Sequence, residues 1–208
     1  MMPARYSVPA QWHRTTTEVK RSRFITTVAN TAEREHSRAF IRQVQQEFSN
    51  ANHNCWACVI GAPGCTLQAG MSDDGEPHGA AGKPMLTTLL HTDIGDITVV
   101  VSRYFGGIRL GKGGMVRAYT AAVLNNLETL PRREKISYQQ LRIELHYPLL
   151  EPIHQLISSY EAQILHCDYA GSIQMTLLVP RENCARFCKQ ITHISAGSIS
   201  VEVDKQTT

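Results

Sequence analysis

The 208-residue chain has little that could hold it in a membrane. Its apolar-rich runs are short, as at Ile97–Val101, far below the roughly 20 residues that span a bilayer, so no transmembrane helix is expected. The first residues, Met1-Met2-Pro3-Ala4-Arg5, lack the apolar stretch of a secretory signal, and the expectation is a cytoplasmic protein with no membrane partner. In that compartment the six cysteines are expected as thiols rather than disulfides. No repeat or low-complexity tract occurs. No sign of charge dominates either, and a formal net charge of +3 does not by itself name a nucleic-acid partner. What is present, 42% hydrophobic and 19% charged residues, is the composition of a globular protein with chain enough for one large domain or two small ones.

Two asymmetries break the uniformity. Residues 1–135 carry 16 Lys/Arg against 11 Asp/Glu, whereas residues 136–208 carry 5 against 7. Of the 14 glycines, 12 fall between Gly61 and Gly114.

Periodicity divides the chain further. Glu18–Val28 reads as a strand or bent strand pair bearing Lys20, Arg21 and Arg23. Asn30 with Glu33 suggests a capping box, and Phe40, Val44 and Phe48 extend an amphipathic helix over 31–49. His53–Ile60 reads as a buried strand, followed by a long glycine-rich loop to Gly82, where Pro84 suits the first turn of a helix reaching Leu90. The β-branched run within Asp96–Arg103 predicts a central strand. A helix from Met115 is stopped by Pro131. Pro131–Lys135 is the best linker candidate. Beyond it, 136–208 reads β-α-β-β-α-β, the ferredoxin-like order. The expected fold is therefore α+β with two domains, 1–134 and 135–208.

Two segments carry chemistry. Gly106-x4-Gly111-Lys112 copies most of a phosphate-binding loop, but Gly113 stands where the Mg²⁺-holding Ser/Thr belongs. What survives is a simpler anion site, formed by backbone N–H groups of a glycine-rich loop opening a helix. No acidic residue occurs from Ile97 to Leu127, while Arg103, Arg109, Lys112 and Arg117 lie there. Lys83, just before a helix start, is placed to meet an anion too. The candidate phosphate-binding set is Lys83, Arg103, Gly106, Gly107, Arg109, Gly111, Lys112, Gly113, Gly114 and Arg117. In the second segment, Asp73, Asp74 and Glu76 form an acidic loop that would bind a divalent cation, act as acid and base, pair with the basic loop, or simply make an Asp-Gly turn. Cys55-x2-Cys58 with Cys65 and His78 has zinc-like spacing. In a strand, however, positions i and i+3 face opposite ways, so core thiols are expected and no metal or cofactor is assigned.

The motif Ser72-Asp73-Asp74-Gly75-Glu76-Pro77 with Gly82-Lys83-Pro84-Met85-Leu86 resembles the central motif of the Impact family, in its bacterial YigZ-type branch. Val101-Ser102-Arg103-Tyr104-Phe105-Gly106-Gly107, then Leu110-Gly111, Gly113-Gly114 and Arg117-Ala118-Tyr119, is similar to its second motif at matching spacing. Lys20-x-Ser22-Arg23-Phe24-Ile25 and His53-Asn54-Cys55-Trp56-Ala57 resemble the earlier strands, and the likeness covers 15–130. It implies an N-terminal domain like the second domain of ribosomal protein S5 and RNase PH, and a ferredoxin-like C-terminal domain similar to domain V of elongation factor G. Eukaryotic relatives regulate translation initiation through an activator of a stress-responsive kinase. For bacterial members, nucleic-acid or ribosome binding is an inference from fold and charge, and the family supplies no catalytic residues. The leading expectation is a non-enzymatic RNA- or ribosome-associated protein that affects translation, with Tyr104 and Phe105 available for base stacking. The rivals are an enzyme holding a phosphorylated substrate with Mg²⁺ through Asp73, Asp74 or Glu76, and a protein-interaction module, for example with a partner in translation control.

Overall fold

The computed structural model describes residues 3–204. They form two compact units, one up to Lys135 and one from Ile136, and both mix strands with helices. The protein is α+β.

In the first unit, β1 (Arg5–Pro9) precedes a hairpin of β2 (His13–Val19) and β3 (Ser22–Asn30). The hairpin turn is Lys20-Arg21, and both residues have positive φ, 48° and 63°. That left-handed pair matches the twist of the strands, although such turns normally select Asn or Gly. Then come α1 (Arg34–Glu47), β4 (His53–Val59), β5 (Ala69–Ser72), α2 (Gly82–Leu90), β6 (Ile97–Tyr104), α3 (Gly111–Thr129) and β7 (Arg132–Ile136). The main sheet runs β2-β3-β6-β4-β5, every neighbour antiparallel.

The β-branched run sits in the middle of this sheet, where both faces are covered. Ile97, Val99 and Val101 point to the side filled by Met85 and Leu89 of α2 and by Tyr119 and Val123 of α3. Val100 points the other way, onto Phe40, Ile41 and Val44 of α1. Each such side chain, withdrawn fully from water, contributes about 1.5–3 kcal/mol before entropy is counted.

Several local expectations change. The first helix begins at Arg34, not at residue 31, and no side chain caps it. Asn30 instead ends β3, paired with Ile97. The long glycine-rich loop contains β5, whose pairing with β4 is non-local and leaves little periodic trace in four residues. Gly111–Gly114 are not loop but the first turn of α3. Pro131–Lys135 is not a free linker, since β7 pairs with β1. Beside that pair, buried Asp96 binds the Lys135 ammonium, the Tyr6 hydroxyl at 2.9 Å and the Gly61 N–H at 2.8 Å.

The second unit has β8 (Tyr138–Leu145), a single 3-10 turn, α4 (Leu150–Ser159), β9 (Gln163–Tyr169), β10 (Ile173–Pro180), α5 (Arg181–Ile194) and β11 (Val201–Val203). Its sheet order, β11-β8-β10-β9, places the fourth strand beside the first and the third beside the second, which is the ferredoxin-like arrangement. Leu141, Ile143 and Leu145 alternate inward and meet Ile153 and Ile157 of α4 and Phe187 and Ile191 of α5. Among the described residues, no helix is long and apolar enough to cross a membrane.

Candidate functional site

Both chemistry-bearing segments meet on the first unit, where α2 and α3 begin. Asp73 sits ahead of α2 and accepts three backbone N–H groups, from Gly79 at 2.8 Å, Ala81 at 3.0 Å and Gly82 at 2.8 Å. Burial pushes its carboxyl up, but the three N–H bonds outweigh that and hold it below its ordinary value. Asp74, at φ 42° and followed by Gly75 at 83°, makes the Asp-Gly turn and accepts the Asn54 N–H at 2.6 Å. Both carboxylates are thereby occupied by backbone.

Glu76 turns inward. Its Oε1 accepts from Arg103 Nη1 at 2.6 Å and from the Tyr119 hydroxyl at 2.8 Å. The side chains of Glu76 and Arg103 are only 3% and 7% exposed. Tyr119 also accepts the Cys55 thiol at 3.3 Å and lies edge-on to Phe24. Burial, reinforced by the carboxylates of Glu76, Asp74 and Asp73, pushes the Cys55 thiol up to about 12. Burial first, then Cys55 and Glu76, raises Tyr119 as well. Both groups stay protonated at neutral pH and act as hydrogen-bond donors, not nucleophiles.

These placements correct two expectations. Asp73, Asp74 and Glu76 do not converge on a cation, and among the described residues no three His, Cys, Asp or Glu side chains do. Arg103 is no exposed phosphate contact, because it comes from the central strand and is neutralised by Glu76. The residues at zinc-like spacing also lie apart. Cys55 belongs to the core under α3, whereas Cys58 lines a groove with Ser37 and Arg38 of α1, and His78 is fully exposed.

The remaining cations are free. Lys83, Arg109, Lys112 and Arg117 are exposed, and among the described residues none is paired with a carboxylate. Arg117 folds back over the start of its own helix, its Nη1 within 3.8 Å of where a Gly113 side chain would begin. Lys83 and Lys112 line one shared groove between α2 and α3. The start of α3 has no side-chain cap and no acidic residue in its first turn, so the N–H groups of Gly111, Lys112 and Gly113 and the positive end of a 19-residue helix dipole face outward.

Close packing adds a further pair. A Cβ on Gly106 would lie 2.0 Å from the Arg21 carbonyl carbon, so only glycine lets the strand end cross the hairpin turn there. That crossing brings the Lys20-Arg21 turn beside the glycine-rich loop, and Arg23 stacks on the Tyr104 ring at 4.6 Å. The basic run 20–23 was visible in sequence. Its placement was not, because it depends on a contact between residues about 85 apart. Tyr104 also donates its hydroxyl to Asn50, which leaves Phe105, 49% exposed, as the ring available for stacking.

The Impact N-terminal domain model matches residues 20–127, and a domain of unknown function follows over 143–198. An IMPACT family member from Haemophilus influenzae is 38% identical over 200 residues, 96% of this chain and 97% of that protein. IMPACT family member YigZ of Escherichia coli is 39% identical over 184 residues, covering 88% and 90%. A solved structure described as a hypothetical protein is 36% identical, superposes with a TM-score of 0.69 and covers both chains completely.

Proposed function

This chain belongs to the Impact family, and on that premise we propose that it is a non-enzymatic, cytoplasmic RNA-binding protein that acts on or near the ribosome and regulates translation. The observation that carries the reading is the uncapped start of α3, surrounded by unpaired Arg109, Lys112 and Arg117 and joined by the Lys20-Arg21 turn across Gly106. Such a surface recognises phosphate without sequence. Lys83 extends it along the groove shared with Lys112, and Phe105 offers a face for an unpaired base. The acidic residues nearby do not oppose the polymer, because each already has its own partner.

The test is RNA affinity measured across salt concentrations. The wild-type protein should lose affinity steeply as salt rises. Arg109→Ala with Lys112→Ala should lower the slope of log K against log salt by about 1.4, since each lost single-strand phosphate contact is worth roughly 0.7. Co-sedimentation with ribosomes at physiological salt should weaken in parallel. Binding of neither RNA nor ribosomes removes the reading.

A further inference from the structure

Beneath the basic rim lies a cavity of about 500 Å³ lined by His53, Glu76, Arg103, Phe105, Arg109 and Lys112. Its volume falls in the range of sites for cofactor-sized ligands. Three of its buried or half-buried groups are unfinished. Arg103 commits Nη1 to Glu76 and to the Met115 sulfur, yet its Nε is buried with no acceptor. Glu76 takes both of its hydrogen bonds on Oε1. Its Oε2 takes none among the described residues, and His53 Nε2 stands 3.9 Å from it. Phe105 keeps half its ring exposed, with the Arg103 guanidinium 5.9 Å from the ring centre.

Each unfinished group asks for a different part of one ligand, and Arg103 Nε, which only donates, asks for an acceptor such as a base carbonyl or ring nitrogen. Arg109, Lys112 and the first-turn N–H groups of α3 suit a phosphate. Glu76 Oε2 suits a donor such as a ribose hydroxyl or a base N–H, because a carboxylate only accepts. The Phe105 face suits a flat base. The carboxylates of an acidic peptide would meet the cations but offer Oε2 no donor, and a sugar phosphate would leave the ring unused. We propose that this cavity binds a single nucleotide through its terminal phosphate, either a free nucleoside monophosphate or the 5′-phosphorylated end of an RNA strand. The RNA-end form rests on the RNA-binding reading above; the free-nucleotide form does not.

Three probes distinguish these sources: adenosine 5′-monophosphate, an RNA dodecamer with a 5′-phosphate, and the same dodecamer with a 5′-hydroxyl. The proposal expects saturable binding of the mononucleotide by calorimetry. If RNA ends are the source, the 5′-phosphorylated strand binds at least tenfold more tightly than its 5′-hydroxyl twin, and the mononucleotide competes only with the former. Mononucleotide binding without end preference, or without any RNA binding, supports the cavity as a site for free nucleotides; in the second case the RNA reading fails while the site stands. Salt-sensitive RNA binding with neither end preference nor mononucleotide binding overturns the proposal and leaves the RNA reading intact. Phe105→Ala, at a half-exposed position, should weaken mononucleotide binding at least fivefold with an unchanged melting temperature. Arg103→Lys, which keeps a cation opposite Glu76 while removing Nε, should also weaken mononucleotide binding if it folds. Undiminished binding by Phe105→Ala overturns the proposal even if Arg103→Lys does not fold.

Discussion

At the start of α2, the backbone N–H groups of Gly79, Ala81 and Gly82 end on one carboxylate, Asp73. At the start of α3, the corresponding groups of Gly111, Lys112 and Gly113 meet no side chain among the described residues, and the surrounding charges are Arg109, Lys112 and Arg117. Both are helix starts in a glycine-rich stretch of the same unit, and both carry a positive dipole end. One is closed by the chain's own anion, so its charge is settled within the fold. The other is left open and reinforced with cations, the condition under which an external phosphate is attracted. Between the two lies Glu76, which belongs to the acidic segment by sequence and to the α3 side by contact, through Arg103 and Tyr119.

The largest way to break this arrangement is to remove that link. Glu76→Ala strands the Arg103 guanidinium among buried neighbours and should cost about 3–5 kcal/mol in denaturant unfolding of the first unit. Glu76→Gln, which keeps an acceptor, should cost clearly less. Gly106→Ala forces a methyl group into the Arg21 backbone. About 1–3 kcal/mol should be lost from overpacking, together with RNA affinity as the hairpin turn is displaced.

Asp73→Ala opens the closed helix start and should cost about 1–2 kcal/mol, the usual range for losing a cap. The pH dependence follows from the lowered carboxyl of Asp73. The unfolded chain binds the proton more readily than the folded one. The stabilisation is therefore complete above the ordinary carboxylate value and is lost as pH falls through the lower folded value. The stability gap between wild type and Asp73→Ala should stay constant from neutrality to about pH 4 and close only in stronger acid. The smallest stability effect belongs to the open start. Arg109→Ala with Lys112→Ala should change stability by less than about 0.5 kcal/mol, because neither side chain is paired in the fold, while lowering RNA affinity. A stability loss as large as that of Asp73→Ala would erase the distinction between the two helix starts.

How much of this was legible in the sequence depended on whether the signal was local. The β-branched run of β6 and the apolar stripe from Val116 to Leu127 in α3 repeat within their own segments, and both elements were readable. So was the order of the second unit, whose strands β8 and β10 alternate inward and outward. The short strands β1, β5 and β7 were not readable, because they exist through pairing with distant partners. At the site, the shortage of acid around Gly106–Gly114 pointed to an anion. Whether a given charge was free depended on folding. Arg103 looks like Arg109 in sequence, and Glu76, 27 residues away, takes its charge out of play. Asp73 looks like a cation ligand until the backbone of Gly79–Gly82 wraps around it.

The most direct test of an open start beside a closed one is an amide-resolved NMR titration of the whole protein with inorganic phosphate and then with a short RNA. The expected result is progressive, saturable shifts at Gly111, Lys112 and Gly113, with Gly79, Ala81 and Gly82 unmoved. Equal shifts at both helix starts, or none at Gly111–Gly113, would contradict it.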